Sequence, residues 1–220
     1  MIQDRFLTYL ASLPTLARFN TGQIAAYRRA CAQRLAESKD CQDFAAISTR
    51  PTDFLTVTLV AQYSSDKIEA KKHYREKQNI GSAWAAYCKA RNSEDDPHQF
   101  YRRRQEALAN GISPPNVPSI HERFRTMLDA ELELDGTGEL AYRLRGLVRM
   151  LVAEDIPIDV IQLAKDLRGW RAESRYVQER WAKAFYAPPY VKVDAGDEKD
   201  DLTTAEDEPE DQEEEENNAD

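Results

Sequence analysis

The side chains in this sequence best equipped for chemistry are arginines set at helical spacing. Arg145 and Arg149 stand one helical turn apart, with Tyr142 three residues before Arg145. At about 100° per residue these three share one face, opposite Leu140, Leu144, Leu147 and Leu151. Two guanidiniums a turn apart beside an aromatic ring suit successive phosphates and a stacked base. The competing explanation is a solvated face laced by intrahelical ion pairs, but few carboxylates sit four residues from Arg145 or Arg149. Arg123 and Arg125 flank Phe124 near a predicted helix start, where backbone amides also favour a phosphate; pairing with Glu122 or Asp129 is the alternative. Arg102, Arg103 and Arg104 are consecutive and point three ways, so at most two of them serve one groove, and Arg102 is retained as a candidate. Arg28 falls in the apolar stripe of its helix and reads as a buried structural arginine, which leaves Arg29 as the freer of that pair. The most basic stretch holds Lys67, Lys71, Lys72, His73, Arg75 and Lys77 with Tyr74 between them. A loop of that composition can grip a nucleic-acid backbone without reading its sequence, or can be no more than an exposed lysine-rich connection.

Enzyme chemistry finds little support. His73, His98 and His121 are isolated, with no HxxxH spacing and no cysteine close in sequence, so no metal site is expected. The lone GxG, Gly136-Thr137-Gly138, follows an acidic helix end and reads as a linker. Asp95-Asp96 and Glu154-Asp155 sit where turn chemistry explains them. No nucleophile–base pair is visible, and no cofactor is expected.

Charge along the 220 residues is segregated. The net charge is −9, yet residues 191–220 alone hold 15 Asp/Glu and two Lys, a net of −13. The other 190 residues carry 28 Lys/Arg against 24 Asp/Glu, a net of +4, so the part able to fold is mildly basic. The tail lacks aromatics and nearly all apolar residues, and on composition it is expected to be disordered. It can serve as a solubilising tail or as an intramolecular competitor lying over a basic groove. The three cysteines, Cys31, Cys41 and Cys88, are odd in number and scattered, which fits free thiols in a reducing cytoplasm. No signal peptide is recognisable, and no apolar run of 18 residues suggests a membrane span.

The elements that must position the arginines are helices, because apolar residues recur at period 3.6 and no long stretch alternates at period two. A first helix carries Phe6, Leu7 and Leu10 and is expected to stop before Pro14; Thr21 is the expected N-cap of the second. Pro51 opens a third, whose β-branched content leaves a strand as the alternative. Helices are predicted over 82–91 and from Pro97 to Ala109, before a break at Gly111 and the prolines 114, 115 and 118. Ser119-x-x-Glu122 has the form of a capping box. Gly136 and Gly138 then precede the leucine-striped helix, Asp159 caps the next, and Val177, Trp181 and Phe185 stripe the last. The expected fold is all-α, a bundle of nine to ten short helices in two small helical subdomains. The expected divisions are an N-terminal part over 1–113, a C-terminal part over 114–190 and the disordered acidic tail over 191–220.

Four stretches resemble a known family. Gly22 to Arg29 (GQIAAYRR) resembles a GxxAxLRR-like element, and Gly81-Ser82-Ala83-Trp84-Ala85 resembles a GxSLGxAL-like helix start after a basic loop, with Ala83 or Ala85 standing where a second glycine is usual. Ile120-His121-Glu122-Arg123 resembles an INERR-like helix start. The run from Leu144 through Ile156-Pro157-Ile158-Asp159 and Asp166-Leu167-Arg168-Gly169-Trp170 to Phe185 resembles a C-terminal bundle. In order and spacing these are similar to the CasB family, the small or belly subunit of the type I-E CRISPR complex Cascade, over about residues 5 to 186; the acidic tail lies outside. The resemblance implies a non-enzymatic protein of two helical subdomains. Its implied partners are guide RNA, both strands of target DNA, and the backbone and large subunits of the complex, together with head-to-tail self-association and a role in locking the R-loop. Arg123 and Arg145 are the nucleic-acid contacts that the match implies. Arg29, Lys71, Lys72, Arg75, Arg102 and Arg149 rest on charge and geometry. The rival reading is a helical adaptor that binds only protein, with its arginines as rim charges.

Overall fold

A computed structural model describes residues 4–31, 33–63 and 78–187. Among them are nine α-helices, three short 3-10 helices and no strand. The first helix, α1 (Arg5–Phe19), runs through Pro14 instead of stopping before it. Phe6, Leu10 and Leu13 are fully buried on its inner face. Each contributes roughly 1.5–3 kcal/mol, which together exceeds the cost of about 3 kcal/mol for an interior proline. Helix α2 (Thr21–Arg29) is capped by Asn20, whose side chain accepts from the Gln23 amide, so the cap falls one residue before Thr21. Arg28 at its end is structural, as expected, but exposed and not buried. Its Nε donates to the Ala61 carbonyl (2.7 Å) and its Nη2 to that of Tyr63 (2.8 Å), satisfying acceptors just past the end of α3 (Pro51–Val60).

Pro51 occupies the first turn of α3, and every residue from Asp53 to Val60 is buried. An apolar segment buried on all sides, opened by a proline whose φ suits a helix, forms a core helix despite its β-branched content. Helix α4 (Ile80–Arg91) is capped by Asn79, and α5 (Pro97–Ala109) by Asp96. The capping box expected at Ser119 does not form. Pro118 holds the cap position of α6 (Ser119–Leu128), Ser119 is already helical, and Glu122 turns to Arg125 at 2.9 Å. Gly136 (φ 78°) and Gly138 (φ 96°) adopt left-handed conformations that lead into α7 (Glu139–Ala153). Asp159 caps α8 (Val160–Gly169) as predicted, and α9 (Tyr176–Tyr186) completes the described bundle.

One contiguous hydrophobic cluster runs through the N-terminal and C-terminal parts of the sequence. It is built where α3 packs on α8 and α4 on α9. Phe44, from the 3-10 helix Lys39–Ala46, sits edge-on to Phe6 and Tyr27 at its centre. All three cysteines are buried and free. Two polar ties hold the helices in register. The Arg168 guanidinium bridges Asp53 (2.6 Å) and Asp4 (2.6 Å), joining α8 to α3 and to the start of α1. Buried Asp166 accepts from Gln162 and Trp181 and pairs with Arg180, joining α8 to α9.

Candidate nucleic-acid interface

Helix α7 has an unambiguous inner face. Leu140, Leu144, Leu147 and Leu151 are buried, and the opposite face carries Tyr142, 75 % exposed, with Arg149 also exposed and Arg145 half-buried. Helix α6 packs beside it and brings Arg123 to the same cleft, a concavity of about 540 Å³. Four guanidiniums therefore line one cleft: Arg123, Arg143, Arg145 and Arg149. Its apolar wall comes from Trp84, Met127, Leu147 and Met150, with Tyr142 alongside.

Among the described residues no carboxylate lines this cleft. Arg143 is held by Glu139 one turn earlier (2.9 Å), so its charge is largely met. Arg123 and Arg145 have no ion-pair partner among the described residues, and Arg149 reaches only the Gln62 amide oxygen at 3.5 Å. The Nε of Arg145 is buried with no hydrogen-bond partner, an arrangement that costs free energy until an acceptor meets it. The positive field also reaches inward: burial pushes the Cys31 thiol up, and a Thr58 hydrogen bond, then Arg145 and Arg149, offset that rise only in part. Unpaired guanidiniums beside an exposed aromatic ring and a small apolar wall can hold phosphate oxygens and stack a base.

The other arginines of the sequence reading sit elsewhere. Arg29 pairs with Asp40 at 3.0 Å on the surface of α2, and Arg102 with Glu106 at 3.7 Å on α5; neither lines the cleft. Arg103 and Arg104 donate to the carbonyls of Glu94 and Pro115, and so fasten α5 to its flanking loops. Arg125 is taken by Glu122. Lys71, Lys72 and Arg75 lie outside the described residues, as does the acidic tail. Sequence reasoning missed Arg143 as a cleft residue. The Glu139-x-x-x-Arg143 spacing that ties it was visible, but its approach to Arg123 depends on how α6 packs against α7.

Among the described residues no group of His, Cys, Asp and Glu could hold a metal ion, and no helix is long and apolar enough to cross a membrane.

The family model for the CRISPR-associated protein Cse2 matches residues 13–186. A CRISPR-associated protein Cse2 from Thermus thermophilus is 32 % identical over 96 residues, covering 42 % of this chain and 49 % of that protein. The match thus spans about half the length of this relative. Among solved structures, a Cse2-family CRISPR-associated protein from Thermus thermophilus superposes with a TM-score of 0.54 at 23 % identity, covering 84 % of this chain and 97 % of that one. CasB from Thermobifida fusca gives 0.52 at 16 % identity, over 83 % and 98 %. At these identities the superpositions establish the shared fold.

Proposed function

The chain belongs to the Cse2, or CasB, family of CRISPR-associated proteins, and from that premise we propose that it is the non-enzymatic small subunit of a type I-E Cascade complex, working in the cytoplasm. It holds the backbone of the guide RNA–target DNA hybrid and the displaced strand, and so stabilises the R-loop. Its protein partners are the backbone and large subunits and a second copy of itself, arranged head to tail. The observation that carries this reading is the cleft in which, among the described residues, Arg123, Arg145 and Arg149 stand without carboxylate partners beside an exposed Tyr142.

The mechanism is one of holding. Exchange of a DNA duplex for an RNA–DNA hybrid is nearly balanced in free energy, so a few arginine–phosphate contacts suffice to tip it. Arg145 supplies a buried Nε that gains an acceptor on binding. Arg123 and Arg149 supply exposed forks on either side, and Tyr142 supplies a face for an unpaired base. No bond is made or broken.

The test is a complex reconstituted with guide RNA in which Arg123, Arg145 and Arg149 are all changed to Ala. The expected result is normal assembly with target DNA retained at least tenfold less tightly. Failed assembly with unchanged DNA affinity would instead identify a helical adaptor whose arginines are rim charges.

A further inference from the structure

On a second surface a cleft of about 720 Å³ lies between the segment that leaves α6 and the turn joining α8 to α9. Past Leu128, the last helical residue, and Asp129 at the C-cap, burial alternates as along an extended chain: Ala130 and Leu132 are buried, while Glu131 and Glu133 are exposed. Carboxylates two residues apart on an extended chain stand about 7 Å from one another on the same side. Asp129 is met by Arg175 (3.3 Å), and Asp135, which also lines the cleft, by Arg34 (2.8 Å). Glu131 and Glu133 are met by nothing among the described residues; of the two arginines in the lining, Arg175 is already on Asp129 and Arg171 makes no ion pair with either glutamate. Leu134 beside them is 80 % exposed.

Two further observations point to a ligand. Gln178 lines the cleft at 9 % exposure; its Nε2 donates to the Trp170 carbonyl, and its Oε1 has no hydrogen-bond partner. The backbone N–H and C=O of Leu132 are likewise unpaired among the described residues, although Glu131 and Glu133 on either side have their carbonyls taken by Leu140 and Gly136. A buried acceptor, the open backbone groups of Leu132 and two unmet carboxylates complement a chain that brings donors and cations together.

We infer that this cleft is a docking site for an extended basic segment of a partner protein, one that alternates Lys or Arg with apolar residues. The segment lies alongside residues 130–133 and pairs with the Leu132 backbone as an added strand. Its cations meet Glu131 and Glu133, a donor reaches Gln178 Oε1, and an apolar side chain covers Leu134. The charge is opposite in sign to that of the arginine cleft, so the protein offers separate surfaces to polyanion and to protein. This inference does not depend on the nucleic-acid reading.

The test uses the full chain and a fluorescent, amidated hexapeptide alternating Lys and Leu, followed by anisotropy in about 50 mM salt. Saturable binding is expected, weakened at least fivefold in an E131Q/E133Q variant, whose exposed side chains leave the core untouched. A hexapeptide with Pro at the central positions, lacking the N–H groups for strand pairing, should also bind several-fold more weakly. An Arg145→Ala variant should bind as the unaltered chain does. Failure of the unaltered protein to bind, equal binding by E131Q/E133Q, or loss of binding in the Arg145→Ala variant would each overturn the assignment. The second of these outcomes would assign any attraction to the acidic tail.

Discussion

Asp4 performs two tasks with one carboxylate. Its Oδ1 accepts the amides of Phe6 and Leu7, 3.0 and 3.1 Å away, at the start of α1, and its Oδ2 meets Arg168 at 2.6 Å. The Arg168 hydrogen bond, assisted by those amides, holds the carboxyl at about 2, below its usual value of 3.8. A carboxylate whose folded pKa is depressed adds stability that is fully present above the unfolded value and is lost as pH falls through the folded one. The contribution therefore fades between pH 3.8 and about 2. Asp4→Asn keeps an oxygen that can cap the helix and removes only the charge, so the expected loss at neutral pH is about 1 kcal/mol, as befits a partly exposed pair. Urea midpoints measured at pH 6 and at pH 2 check this: the gap between the two proteins should narrow at the lower pH. A gap that persisted unchanged would show that the ion pair contributes nothing. His121 has the opposite chemistry but the same pH direction. Burial pushes its imidazole pKa down, although the Asp95 carbonyl 2.7 Å from Nε2 works against that, so protonation favours the unfolded chain as pH falls below the ordinary histidine range.

At the scale of elements, α4 and α9 meet backbone to backbone. A Cβ on Gly81 would lie 2.0 Å from the Trp181 carbonyl oxygen and 2.8 Å from its carbon, and these are backbone atoms that cannot swing aside. Gly81→Ala must push the two helices apart, at a cost of about 2–4 kcal/mol. For a domain of this size that corresponds to a fall in melting temperature of roughly 5–15 °C. A melting temperature within about 2 °C of the unaltered protein would mean that the helices have room to shift. The glycine was plain in the sequence, but nothing there said what it touches. The same division runs through the rest of the fold. Local signals were legible: Pro51 and Pro97 open helices, Asp159 caps one, and the leucine stripe of α7 faces inward. Signals that tertiary packing overrode were not. Pro14 is carried inside α1 because Leu10 and Leu13 before it are buried, and Ser119 loses its cap role to Pro118. Contacts between distant positions were invisible to any periodicity: Arg168 meets Asp4 across 164 positions and Asp53 across 115. In the candidate site, the face shared by Tyr142, Arg145 and Arg149 could be read from a 100° step, whereas the addition of Arg123 required the packing of α6 on α7.

For the whole molecule the governing quantity is the balance of charge. The chain carries −9 overall, while the 190 residues before position 191 carry +4. A polyanion approaching the arginine cleft meets the field of both, and the −13 of residues 191–220 opposes it. Removing those residues reverses the sign of the net charge without touching a described side chain. Deletion should therefore tighten binding to a short single-stranded DNA at about 50 mM salt by several-fold, with most of the change in the association rate, because long-range charge acts on encounter. Screening shortens the reach of that field to about 10 Å at 0.1 M and 3 Å at 1 M, so the two proteins should converge as salt rises. Affinity plotted against salt for both forms provides the measurement. Converging lines would identify the tail as a long-range electrostatic governor of an otherwise basic protein. Superimposed lines at every salt concentration would mean that its charge does not reach the cleft, and the tail would then be left with solubility as its role.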